Sequence, residues 1–307
     1  MILCCGEALI DMIPSQHEPT FIPLAGDAVF NTATGIGRQG VDVGLVSGVS
    51  KDLFGEILAN TLKDSTVDPL YLCRADRPTT LAFVTFLDSE ANYAFYDENT
   101  AAQMLFPDDM AHTFSNDIEA LFLRDISLMV EPCAAADIAF LNKKKGSRLI
   151  MADPNIRPAF ISDEMRYRAR VSEVFANCDI FKISIEDLDW ISPKNKPRDK
   201  KALDILKQGL ELLCLTLGAK GVKVYDKNGP RFTCSVPQIT VEDTVGAGKA
   251  FNAGLLVSLK LLNVLFHSAV LALSHNVLKN AVRFAITFAS DNANLQGSDP
   301  AWNFIAP

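Results

Sequence analysis

Asp243-Thr244-Val245-Gly246-Ala247-Gly248-Lys249, running on into Ala250-Phe251-Asn252-Ala253-Gly254, is the stretch on which the reading of this chain turns. Three small residues, Gly246, Ala247 and Gly248, stand between a β-like run (Gln238-Ile239-Thr240-Val241) and a long apolar helical pattern. Such a loop lets backbone N–H groups converge on an anion at a helix N-terminus, where the dipole adds roughly half a positive charge. The segment reads as a phosphate nest. Its last residue, Lys249, complicates that reading.

Working outward, strands and helices alternate. Ile2–Cys5, Val43–Val49, Ala120–Phe122, Arg148–Met151, Ile180–Ile183, Leu213–Thr216 and Val222–Tyr225 read as strands, with helical spacers between several of them. Asp27–Gln39 and Asp52–Asp64 read as the first two helices. This β/α alternation predicts a mainly parallel, doubly wound sheet with helices on both faces. Phe21–Leu24 and the pair Thr79–Leu87 and Asn92–Phe95, turning at Asp88-Ser89-Glu90, have no helical crossover. They predict a small β lid, its strands drawn from about residues 10–25 and 75–100 of one large domain over 1–307.

A chain of 307 residues with 49% hydrophobic content supports a large core. Its formal net charge of −8 argues against nucleic acid or an anionic membrane as partner. Seven scattered cysteines form no Cys-x-x-Cys pair and histidines number four, which argues against zinc and for a reducing cytoplasm. The apolar region Phe251–Ala289 is broken by Lys260, His267, His275, Lys279 and Arg283, so two packed core helices are expected there rather than a membrane span.

In an open parallel sheet, ligands bind beyond the carboxyl ends of the strands. Four motifs fall there: Gly6-Glu7-Ala8-Leu9-Ile10-Asp11, Asp153-Pro154-Asn155-Ile156-Arg157-Pro158, Lys182-Ile183-Ser184-Ile185-Glu186-Asp187 and Thr216-Leu217-Gly218-Ala219-Lys220-Gly221. Each alone has a bland reading: Asp-Pro-Asn as a turn, Gly218 and Gly221 as hairpin glycines, Glu186-Asp187 as a solvated helix start. Their joint appearance, each after a separate strand, argues for one site.

With those motifs in order, the chain resembles the ribokinase-like, or PfkB, carbohydrate kinases, and within them the fructokinases and 2-keto-3-deoxygluconate kinases. The likeness covers nearly the whole length. It implies a three-layer α/β sandwich with a β lid, moving the γ-phosphoryl group of ATP to a sugar hydroxyl with Mg²⁺. By that resemblance Asp11, Gly26, Asp27, Asn31 and Asn155 belong to the sugar site, and Arg157 holds the phosphoryl acceptor. Ser184 and Asp187 stand at the family's Asn-x-x-Glu motif, with Asp187 reaching Mg²⁺ through water. Thr216, Gly218 and Gly221 line the nucleotide, Asn280 lies in the helix bordering adenine, and Gly246, Ala247 and Gly248 form the anion hole. The lid sequence favours fructose, with 2-keto-3-deoxygluconate the runner-up. The lid residues Phe83, Phe95 and Tyr96 also suit a homodimer contact.

The departures weigh as much. Where the family has its base aspartate, this chain has Lys249. A lysine has an unperturbed pKa of about 10.4 and no lone pair to offer at neutral pH. Acting as base would require lowering that value by about 3, a cost of roughly 4 kcal/mol, beside phosphates that push it upward. Asp27 replaces a glycine, Arg124-Asp125 replaces a small segment, and Asp291–Asp299 matches poorly. Two function classes follow: a sugar kinase with impaired transfer, and a non-catalytic sugar- and nucleotide-binding protein.

Overall fold

A computed structural model describes residues 1–15, 20–87, 90–110, 117–124, 126–144, 148–193, 195–237, 246–267, 272–292, 300–302 and 304. The β-like run at 238–241, Asp243 to Val245, Asp88, Ser89, Asp125 and most of 291–299 lie outside the described residues.

The central sheet is built on six parallel strands: β1 (Ile2–Cys5), β4 (Val43–Ser50), β9 (Ala120–Arg124), β10 (Leu149–Asp153), β11 (Ile180–Ser184) and β12 (Leu212–Thr216). Beyond β12 a hairpin of β13 (Val222–Asp226) and β14 (Gly229–Cys234) closes one edge antiparallel. At the other edge β5 (Val67–Asp68) and β6 (Leu72–Ala75) pair with β4. The spatial order is β14-β13-β12-β11-β10-β9-β1-β4-β5.

The parallel strands are predominantly apolar because both faces are covered, with polar residues concentrated toward their carboxyl ends. Ile2, Cys4, Phe122, Leu149 and Met151 point to one side. There they meet α1 (Ala28–Arg38), α2 (Leu53–Asp64), α7 (Ala247–Leu261) and α8 (His275–Asn292). The alternate residues Leu3, Cys5, Leu121, Leu123 and Ile150 point to the other, toward α3 (Cys133–Lys144), α4 (Glu164–Asn177) and α6 (Arg198–Leu206). Helices α7 and α8 pack together, Ser258 Oγ donating to the Ala281 carbonyl at 3.3 Å. Among the described residues, no helix is long and apolar enough to cross a membrane.

A second, four-stranded sheet has the order β3-β2-β7-β8, formed by β2 (Leu9–Pro14), β3 (Phe21–Gly26), β7 (Leu81–Leu87) and β8 (Glu90–Tyr96). Phe83 ties it together, with ring centroids 5.0 Å from Phe21 and 5.4 Å from Tyr96. Asp52 anchors the approach to β7. Its carboxylate caps α2 at Gly55 N and also accepts from Thr79 N (2.9 Å) and Thr79 Oγ1 (2.7 Å). Gly218 and Gly221 bound the short 3₁₀ turn that joins the antiparallel strands β12 and β13, in keeping with their reading as hairpin glycines. One sequence expectation changes: Asp187 is buried rather than solvated at the start of α5 (Ile185–Ile191).

Candidate active site

The site lies beside Asp11 of β2, where β3, β10, β11 and β12 end and α1 and α7 begin. Gly246 adopts φ 92° at the N-cap of α7, bringing Ala247, Gly248 and Lys249 into the first turn. Thr32 Oγ1 on α1 reaches the Lys249 carbonyl at 3.3 Å, so the two helix starts are joined.

Asp11, Gly26, Asp27 and Asn31, the residues expected to hold sugar, lie on β2, the end of β3 and the start of α1. Asp11 lies on β2 opposite β3, and a Cβ placed on Gly26 would stand 2.4 Å from Asp11 Oδ2. Gly26 therefore makes room for the carboxylate. Burial pushes the Asp11 carboxyl above its ordinary value, and the Lys249 charge pulls it back down. The two groups thus sense each other across the cleft. Asp27 caps α1, its carboxylate accepting from Val29 N at 3.4 Å, with φ 96° and ψ 166°. Those dihedrals belong to a region that glycine occupies freely and an aspartate occupies only under strain. Asn31 is buried on the first turn of the same helix.

The β10 motif is split by burial. Asp153 is sealed inside, whereas Arg157 is exposed and donates to the carbonyls of Ile156 (3.2 Å) and Asn155 (3.4 Å). Asn155 holds φ 38°. Ser184 Oγ caps α5 at Asp187 N (3.0 Å), and Asp187 Oδ1 accepts from Ile156 N (2.9 Å). Burial first, then the charge of Asp153, raises the Asp187 carboxyl; Ser184, Lys182 and the Ile156 N–H oppose that rise.

A cavity of ≈ 380 Å³ opens between α5, β12, α7 and α8. Thr216, Gly218 and Gly221 line it, together with Ala247 and Gly248. Leu217, Val222, Phe251 and Ile286 make it apolar, which suits a flat heterocycle. Asn280 is exposed on α8, the helix that borders the cavity, and Ile286, Ala289 and Ser290 of that helix line it, more than one helical turn further along. Glu186, read from the sequence only as part of a solvated helix start, lines it as well.

Two residues without an assigned role in the sequence stand at the centre. Lys182 Nζ lies 3.0 Å from Asp153 Oδ2, and Asn252 Nδ2 donates to the same oxygen at 2.8 Å. A buried lysine inside an apolar strand was the available signal.

A buried carboxylate on β2 and an apolar cavity thus flank the small-residue turn of Gly246, Ala247 and Gly248. Residues 1–301 match the profile of the pfkB family carbohydrate kinases. The chain belongs to the pfkB family of carbohydrate kinases. Among its pfkB relatives, a fructokinase of Rhizobium leguminosarum bv. trifolii is 44% identical over 283 residues, covering 91% of this chain and 86% of the relative. A fructokinase of Xylella fastidiosa with bound ATP has the same fold, with TM-score 0.89 at 24% identity, covering 97% of this chain and 93% of that one. A fructokinase of Vibrio cholerae solved with fructose, ADP and calcium matches with TM-score 0.82 at 25% identity, covering 97% and 94%.

Proposed function

We propose that this pfkB kinase is an ATP-dependent fructokinase. The observation that carries the reading is the 44% identity to the Rhizobium fructokinase across 91% of the chain. The meeting of Asp11, the α7 nest and the ≈ 380 Å³ cavity in one cleft supports it.

In this reading the nucleotide base enters the apolar cavity and its phosphates run along Thr216 and Gly218 toward Gly246, Ala247 and Gly248. Asp11 accepts hydrogen bonds from sugar hydroxyls, which a carboxylate does from two donors at once. Asp27, Asn31 and Asn155 complete the sugar side, and Arg157 offers its guanidinium to the acceptor. A hydroxyl oxygen attacks the γ-phosphorus as the bond to the β-phosphate oxygen breaks and ADP leaves. Backbone N–H groups of the α7 turn meet the charge on the transferred group, the dominant contribution in this chemistry.

Mg²⁺ fits the residues present. Asp187 and Asp153 are close enough for their like charges to oppose each other in a buried site, and a hard cation relieves that while keeping most of its waters. Asp187 would hold it, directly or through water. When bound, the ion neutralises charge on the phosphates.

Lys249 is the specific observation favouring a second reading, a sugar- and nucleotide-binding protein with little transfer. A protonated lysine attracts ATP but takes no proton, so the hydroxyl proton passes to water or a phosphoryl oxygen. Loss of a general base removes about 10²- to 10⁴-fold in rate. Fructose-dependent ADP release, compared with other sugars, tests the fructokinase reading.

The lid also presents an outer apolar surface: Ile22 is 51% and Tyr96 64% exposed. We infer a homodimer through these strands, with Phe83 and Phe95 behind them. Seven free thiols, most of them buried, suit a reducing cytoplasm.

A further inference from the structure

The nest at the start of α7 rests on a buried cation. The Lys182 and Asp153 side chains are 6% and 0% exposed, and their ion pair closes at 3.0 Å. A Cβ built on Gly248 would stand 3.2 Å from Lys182 Nζ, so the ammonium lies directly behind the third small residue of the turn. Asn252, one helical turn further along α7, donates to the same Asp153 oxygen. One carboxylate oxygen therefore keys the start of α7 to β10 and β11.

This arrangement is electrostatically adverse by itself. A helix N-terminus already carries about half a positive charge, and an ammonium placed behind it raises the local potential. The groups facing Lys182 are Asp153 on β10, Asp187 on α5 and the thiol of Cys214 on β12. The carboxylates balance the ammonium on the sheet side, while the α7 side is lined by N–H groups. For stability alone, an apolar pair of similar volume does as well as a buried ion pair. The charge gains a purpose when an anion occupies the turn.

We propose that Lys182 is a phosphate-positioning residue: from behind Gly248 its ammonium strengthens the α7 turn for the terminal phosphoryl group of ATP, aimed by Asp153 and Asn252. The proposal rests on the kinase reading above. Lys182 touches no reacting atom; it acts through the turn. It therefore discriminates triphosphate from diphosphate, because ADP leaves the far end of the phosphate track empty.

The test is calorimetric titration of the whole chain with a non-hydrolysable ATP analogue and with ADP, each with Mg²⁺. Lys182→Met/Asp153→Asn removes both charges and leaves no buried ion unpaired. Its preference for the analogue over ADP is expected to fall about tenfold, with ADP affinity unchanged. Asp153→Asn alone leaves the ammonium uncompensated on that side, and the preference is expected to rise. A structural role alone would move both nucleotides together and could not give opposite signs in the two variants. An unchanged preference in either folded variant, or equal loss for both nucleotides, overturns the proposal; if the double variant does not fold, Asp153→Asn decides it. Failure of the unaltered chain to bind either nucleotide would instead overturn the kinase reading.

Discussion

Asp11 and Gly26 face each other across the β2–β3 pair so closely that a methyl group on Gly26 would stand 2.4 Å from Asp11 Oδ2. The space beside the backbone is where the carboxylate sits. Gly26→Ala is therefore expected to swing Asp11 away from the sugar. Because the obstructed atom is the end of a side chain, unfolding should change little, by about 1 kcal/mol or less. Steady-state kinetics should show KM for fructose raised about tenfold, the loss of one charged hydrogen bond. A lower melting temperature with unchanged KM would place Asp11 outside the sugar site.

Asp27 holds φ 96° and ψ 166°, where a side chain costs about 1–3 kcal/mol. Asp27→Gly relieves that strain and loses a 3.4 Å cap bond worth a few tenths. The added freedom of the unfolded chain takes back about 0.4–1 kcal/mol. Denaturant unfolding should give a net gain of about 1 kcal/mol. A net loss would mean that Asp27 makes contacts outweighing its strain.

Asp137 is fully buried with Ser127 Oγ donating to it at 2.5 Å. Burial raises its pKa from 3.8 to about 6, against the lowering effect of Ser127. Between those values the folded chain keeps a proton that the unfolded chain has released. The corresponding stability is present below about pH 4 and is lost as pH rises through about 6, a change of about 3 kcal/mol. Asp137→Asn removes this dependence. The unfolding free energy of the variant relative to the parent should therefore increase between pH 4.5 and 7, and a constant difference would exclude the effect.

The lid predicts its own association. Sedimentation at micromolar concentration is expected to give a dimer, and Ile22→Asp with Tyr96→Asp a monomer that retains the melting temperature. A monomeric parent would remove the dimer.

What the sequence disclosed follows from burial. Strands such as Ile2–Cys5 and Leu149–Met151 are apolar at every position because the sheet is covered on both faces, so they were legible. The bounds of Leu9–Pro14, inside the lid span expected from about residue 10, were not, because Asp11 interrupts its apolar run. Nor was Gly229–Cys234, where Pro230 and Arg231 sit on an edge strand that tolerates them. In the site, Thr216, Gly218 and Gly221 were legible because a glycine-rich turn has its own signature. Lys182 was quoted in its motif but given no role because lysine ordinarily faces water, and only the fold brings Asp153 and Gly248 against it. The resemblance pointed to the helix of Asn280, and the residues of that helix lining the cavity are Ile286, Ala289 and Ser290, whose value lies in size and shape.

The most direct test compares fructose-dependent ADP release, with Mg-ATP, by the unaltered chain and by Lys249→Asp. The expected result is slow release from the unaltered chain and a rate at least about 10²-fold higher in the variant, with KM for fructose changed little. No fructose-dependent release from either protein, both shown to be folded, would contradict the account.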